Sequence, residues 1–229
     1  MIRAKTLRKN SRRPAADLEV RRSQPRPPQQ DRGRARCEAI LDIADEMLEH
    51  DEIENIGYYE IIKRAGMAPA SAYHFFPSKA AVFRALAERY SEHFLTKVLK
   101  PPKEHFPQWQ DVIAIGHQKA AGYYNSHKAA MKLLLGVQPF LEVQQADTRI
   151  TKSTSNQTLH LFQTAYELPF ILNVDRKFLV AIAISDGIWR ASFGEFGKIT
   201  HEYRDEGIRA TIAYFRTFLP ERLALRRSV

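Results

Sequence analysis

One cysteine, Cys37, stands in a chain of 229 residues. A single thiol excludes an internal disulfide framework and any multi-cysteine zinc site. Long apolar runs are also missing. The longest, Phe178 to Ile184, is ended by Ser185 and Asp186, far short of the roughly 20 residues a membrane span requires. The sequence has no His-Glu-x-x-His pair, no Gly-rich phosphate loop followed by lysine and no Gly-x-Ser-x-Gly elbow, the spacings that build common hydrolytic and nucleotide-binding sites. The expectation is therefore a protein that is no enzyme and has neither cofactor nor metal. No apolar block follows the basic N-terminal residues, and Pro14, Pro25, Pro27 and Pro28 oppose an amphipathic helix there. Neither a secretory signal nor a transit peptide is expected, and the cytoplasm is the expected location.

What the chain does have is positive charge, unevenly placed. The net charge is +9. Residues 1–32 carry ten basic side chains against Asp17, Glu19 and Asp31, giving +7, whereas residues 33–80 carry five against nine acids, giving −4. The remaining residues then hold +6, the balance of the total. A basic, proline-rich segment with few large apolar residues cannot bury enough surface to offset its ordering entropy, so residues 1–32 read as a disordered tail. Such a tail suits a polyanion; a solubilising extension or a misassigned start codon accounts for it equally well.

From Gly33 onward apolar residues recur at helical spacing without strand alternation, which predicts an all-α fold. "RARCEAILDIADEMLEH" gives a first helix over about 34–50, with Cys37, Ile40, Leu41, Ala44 and Leu48 as its core face. A short helix follows over about 58–65, ended by Gly66 in a left-handed conformation. Pro69 opens a third helix and Pro77 closes it near Phe76. Ser78 caps a fourth, whose apolar stripe Val82, Leu86, Tyr90, Phe94 and Val98 runs to Pro101 and Pro102. Longer helices are predicted over about 108–125, 126–135, 142–167, 176–196 and 201–219. The polar stretch "TRITKSTSNQT" reads as a solvent-facing turn or a break within the third of these.

A short helix, a Gly-containing turn and a second short helix form the helix-turn-helix pattern that presents a recognition helix to the major groove. Small Ala70 and Ser71 let the backbone approach the duplex, while Ala72, Phe75 and Phe76 pack backwards. Tyr73 and His74 offer polar tips to phosphate oxygens, and Pro69 offers at most an apolar contact to a thymine methyl. Arg34, Arg36 and Lys79, read as first-turn cations, oppose their own helix dipoles unless a phosphate sits at those N-termini.

The segment "AGMAPASAYHFFPSK" resembles the recognition segment of TetR-type bacterial transcriptional regulators, with Ala65, Gly66, Tyr73, Phe76 and Lys79 as the recurring skeleton. The resemblance covers about residues 34–83. It implies a DNA-binding domain over 33–80 and a helical ligand-binding and dimerisation domain over 81–229. It further implies a homodimer on a near-palindromic double-stranded operator and a small-molecule effector, most simply one that releases a repressor. Tyr73, His74 and Lys79 match phosphate-contacting positions, and Ser71 one that contacts a base or phosphate. The usual Thr or Ser pair before the second helix is replaced by Ile56 and Gly57, which leaves Asn55 to cap and Tyr59 to add a phenol.

The implied effector pocket would draw on Trp109, His117, Tyr123, Tyr124, Met131, Phe140, Phe162 and Tyr166, and the effector would be mainly hydrophobic. Each of these residues also reads as plain core. Ile182, Trp189, Phe193, Ile208, Ile212 and Phe215 would form a four-helix dimer interface with the partner's copies, or pack inside one protomer. The rival function is a non-specific or architectural nucleic-acid-binding protein driven by the basic tail.

Overall fold

The apolar stripe of the first helix sets the assembly. In the computed structural model, which describes residues 31–100, 106–137 and 139–226, Cys37, Ile40, Leu41, Ala44, Met47 and Leu48 are all buried along α1 (Asp31–His50). Helices α2 (Tyr58–Arg64), α3 (Pro69–Phe75) and α4 (Lys79–His93) follow, and α4 runs into a π-helical turn, Phe94–Val98. Then come α5 (Trp109–Ser126), α6 (Lys128–Leu135), α7 (Leu141–Ala165), α8 (Val174–Phe196) and α9 (His201–Phe215). The described residues contain no strand, only an isolated bridge between Tyr166 and Leu225. The fold is thus all-α, with an amino-terminal helix-turn-helix domain and a helical carboxy-terminal domain. None of these helices is long and apolar enough to cross a membrane. Residues 1–30, most of the expected basic tail, and Pro101 and Pro102 lie outside the described residues.

Local chemistry explains the short elements. Gly66 has φ 64°, and around it the Met67 N–H donates to the Ile62 carbonyl and the Gly66 N–H to that of Lys63, the paired bonds that close a helix through a left-handed residue. Pro69 occupies the first turn of α3, and Ser78 Oγ accepts from the Ala81 N–H at 3.1 Å to cap α4.

The expected break in α7 does not occur. Thr148, Thr151, Thr158 and Thr164 turn their hydroxyls back onto the carbonyls four residues earlier, at 2.8–3.1 Å. The helix thereby satisfies these polar groups internally. At the end of α4 the widened turn brings the Leu99 N–H to the Phe94 carbonyl, and the Gln157 amide donates to the carbonyls of Leu95 and Leu99.

One apolar core runs from α1–α4 into α5–α7 and reaches Trp189 on α8. A second, built on Trp109, Phe162, Tyr166, Phe178 and Phe215, fills the far end. The acidic cluster of α1 faces the first of these contacts. Arg89 of α4 bonds Asp42 and Asp45, and the Tyr90 hydroxyl also meets Asp45. Glu49 accepts the Ala129 N–H at 3.0 Å, where α6 has no side-chain cap of its own, and Lys132 reaches the Asp51 carbonyl and Glu52. Glu49 thus caps a helix from outside, placing negative charge at its N-terminus. Glu49→Ala is expected to lower stability by about 1 kcal/mol, measured by urea unfolding.

Candidate nucleic-acid interface and effector cavity

Helix α3 leaves one face open. Ala72 is buried beneath it, whereas Pro69, Ala70, Tyr73 and His74 are exposed and Ser71 is half-buried. Tyr73 is 42% exposed and Tyr59, on α2, 64%. Their hydroxyls meet at 2.9 Å, and Tyr58 packs against both rings while donating to the Phe76 carbonyl at 2.5 Å. Burial, followed by the neighbouring phenols, pushes the Tyr58 hydroxyl up to about 12, so it stays a donor. The three tyrosines hold α2 against α3.

The cations around this face differ in freedom. Arg34 and Arg36 are exposed, but α1 begins at Asp31, so Arg34 ends the first turn and Arg36 lies in the second. The dipole argument for Arg36 therefore fails, because the dipole's influence falls off within the first turn. Arg36 instead borders a shallow groove with Ala35, Ala39, the 65–68 turn and Ser71. Lys79 begins α4, yet its ammonium donates to the Glu54 carbonyl at 3.2 Å and lies 5.7 Å from the Phe140 ring centre. Burial lowers its pKa. Asn55 is exposed but caps nothing: α2 starts from Gly57 with no side-chain cap. Ala68 likewise leaves α3 without one.

Behind the helix-turn-helix, α4, the π-helical turn and α5–α9 enclose a cavity of about 110 Å³, several times the ~10–15 Å³ one water requires. Its walls are mainly apolar, including Phe94, Ile113, Leu134, Ile150, Ile182 and Phe215. The polar stretch of α7 supplies one side: Asp147, Thr151, Thr154, Gln157 and Thr158 recur at helical spacing along it. Opposite lies a closed network. His117 Nδ1 bonds the Ile113 carbonyl at 2.9 Å, and its Nε2 lies 2.9 Å from Ser185 Oγ and 3.3 Å from Thr211 Oγ1. The carbonyl can only accept, so the proton is assigned to Nδ1 and Nε2 accepts. Desolvation, opposed by the backbone bond, holds the imidazole down at about 4. It is neutral at physiological pH. Asp186 borders the same space, and burial, reinforced by Asp147, pushes its carboxyl up to about 7.

Of the eight residues expected at the pocket, His117 and Tyr124 line this cavity; the other six do not. Trp109 donates to the Pro220 carbonyl in the second core, and Phe162 and Tyr166 pack there too. Tyr123 stacks with His93 and His127, Met131 is buried in α6, and Phe140 stacks on Phe83 of α4. These six rings and side chains fill the cores, while Phe94, Tyr124, Trp189 and Phe215 share the cavity wall with aliphatic and polar residues.

Of the expected interface residues, five pack partly or wholly within the protomer. Ile182, Trp189 and Phe215 border the cavity, Phe193 packs on the first core, and Ile212 packs on the second. Ile208 is half-buried. The outward face of α8 instead presents Val180, Ala183, Gly187, Ala191 and Gly194, all exposed.

Residues 40–86 match the family model for bacterial regulatory proteins, tetR family. The amino-terminal domain is thus of the tetR-family type. Solved structures of the same fold include a TetR-family transcriptional regulator from Streptomyces coelicolor at 18% identity and TM-score 0.64, covering 80% of this chain and 99% of that one. A TetR regulator from Rhodococcus sp. RHA1 has 18% identity and TM-score 0.61, with 80% and 96% covered. SmeT, the repressor of the Stenotrophomonas maltophilia multidrug efflux pump SmeDEF, has 16% identity and TM-score 0.55, with 81% and 91% covered. Comparison with curated proteins gave no match. Within this TetR-type fold the sequence reading missed Asp186, Asp147 and the threonines of α7 as cavity residues. Their signal was present in "TRITKSTSNQT": its polar residues recur every three to four positions, as on one face of a helix.

Proposed function

We propose that the protein is a repressor that binds a near-palindromic operator as a homodimer and is released when a small, mainly apolar molecule fills the cavity. The observation that carries this reading is the shared helix α4. Its Arg89 and Tyr90 hold α1, while Ser91, Phe94 and Leu99, at and beyond its end, line the cavity. A ligand that prefers one position of α4 therefore biases the spacing of two recognition helices, and a differential affinity of a few kcal/mol suffices. SmeT, whose fold this chain shares, is itself a repressor.

In this reading residues 33–80 carry the DNA contacts and residues 81–229 the ligand and the partner copy. Ser71, Tyr73 and His74 present the open face of α3, with Pro69 and Ala70 allowing close approach. Arg34, Arg36, Tyr59 and Lys79 reach phosphates at its margins. The outward stripe of α8 is the contact between copies, since Ala183, Gly187 and Ala191 let two helices approach closely.

Selection of bound fragments from sheared genomic DNA, with the full chain and with residues 33–229 in parallel, tests the proposal. Both are expected to enrich one two-fold symmetric site. Tyr73→Ala is expected to weaken binding to that site about tenfold or more, measured by anisotropy at fixed salt. Diffuse enrichment that disappears with residues 1–32 would overturn it.

A further inference from the structure

Asp186 is an under-bonded carboxyl on the cavity wall. It lies deep in the carboxy-terminal domain, and the surface it retains borders the cavity. A carboxylate offers about four acceptor sites, yet its one hydrogen bond among the described residues is a long one, 3.4 Å from Thr151 Oγ1. That hydroxyl also serves the Asp147 carbonyl at 3.1 Å. Arg190, the nearby cation, is committed elsewhere: it bonds the Asp147 carboxylate at 2.5 Å and reaches the Gly136 carbonyl.

The charges then sum simply. Asp147 and Arg190 cancel as a pair, leaving the carboxylate of Asp186. The other titratable groups on the cavity wall, His117 and Tyr124, are neutral at physiological pH, because burial lowers the first and raises the second. Rings of Phe94, Tyr124, Trp189 and Phe215 border the same space, and aromatic faces attract cations, more strongly where water is excluded.

We propose that the cavity takes an apolar organic cation, seated with its charge at Asp186. This rests on the effector reading of the cavity and narrows the ligand class. A neutral apolar molecule would leave the carboxyl without a partner, and an anion would add a second negative charge beside it. Where the carboxyl is ionised, a cation neutralises it while the remaining walls bury the ligand's hydrocarbon.

The pH dependence follows from the groups around Asp186. Burial and Asp147 favour its neutral form, Arg190 and Thr151 its ionised form, and the outcome is a pKa of about 7. A bound cation favours the ionised form, so binding expels the proton. Affinity should rise about tenfold from pH 6 to pH 8 and level off above, with protons released on binding near pH 7.

The test compares benzyltrimethylammonium with neopentylbenzene, its uncharged carbon isostere, by calorimetry and Trp fluorescence on the full chain. At pH 8 the wild type is expected to bind the cation at least about tenfold more tightly than the isostere. Asp186→Asn, checked for folding by circular dichroism, should lose at least about tenfold in cation affinity and keep isostere affinity within about twofold. Proton release by the wild type, read in buffers of different ionisation enthalpy, supplies a second measurement independent of the variant. Equal or tighter binding of the isostere, a cation preference that survives Asp186→Asn, or no saturable cation binding would each overturn the proposal. Operator affinity measured alongside separates the two readings. Selective cation binding with unchanged operator affinity keeps the cation site and removes the effector role; operator release by both probes alike does the reverse.

Discussion

Asp186→Asn is expected to melt higher than the wild type at pH 8, by about 5–10 °C, with the gap closing as the pH falls towards 4. The carboxyl has a reference value of 3.8 and is pushed to about 7 by burial and then by Asp147. For an acid raised on folding, the stability contribution is intact below 3.8 and is lost as the pH rises to about 7. Roughly three units correspond to about 4 kcal/mol at most, and water reaching the cavity brings a realistic figure to about 2–4 kcal/mol. Asparagine keeps the shape and removes the charge.

His117 acts with the opposite sign. Desolvation lowers its imidazole from 6.5 to about 4, so its contribution is present above 6.5 and is lost as the pH falls through about 4. In the wild type the two titrations overlap and oppose each other between about 4 and 7. Their separate slopes should therefore show in the variants: stability rising with pH over this window in Asp186→Asn, and falling with pH in His117→Gln. Thermal melts at one protein concentration across pH 4 to 8 check this. Parallel profiles for wild type and Asp186→Asn would show that Asp186 does not titrate as its surroundings dictate.

Phe215→Ala is expected to remove about 3–5 kcal/mol of stability, the range for deleting a fully buried aromatic ring. Its ring is buried, stacks on Phe162 at 5.6 Å, and meets the edges or tilted faces of Phe178, Phe218 and Trp109 at 4.9, 5.3 and 5.8 Å. Because it also borders the cavity, the substitution enlarges that space as well as weakening the second core. Denaturant unfolding should show the loss at every protein concentration. Ala183→Glu, on the outward stripe of α8, should instead shift the mass seen by sedimentation towards the single chain. If Phe215→Ala merely dissociates the protein and leaves each chain as stable as before, its placement in the protomer core is wrong.

The difference between Phe215 and Ala183 also explains what the sequence could reveal. Caps and turns were readable because their chemistry is local: Gly66 adopts the left-handed conformation, Pro69 opens α3 and Ser78 caps α4. The exposed face of α3 followed from small residues set against Phe76 and the buried Ala72. Helical periodicity marked Trp189 and Phe215 as belonging to an apolar face, but it cannot distinguish a face turned to the protomer's own core from one turned to a second chain. The cavity was harder still, because it lies where helices diverge, and divergence is set by packing between remote segments. Bulky rings such as Trp109 and Phe162 drew attention, yet their size is what places them where space closes. Asp186 was visible only as the polar residue ending an apolar run.

The unbroken apolar core has a further consequence for cooperativity. Helix α1 is covered on one side by α4 and on another by α6, whose N-terminus Glu49 caps. Buried residues from Cys37 to Trp189 belong to one cluster. A break after residue 80 would therefore expose apolar surface on both pieces, and neither would retain the other's supporting contacts. Helices α2 and α3 are expected to melt together with the helices that enclose the cavity, so a molecule that tightens those helices would also add to the free energy holding α2 and α3 folded.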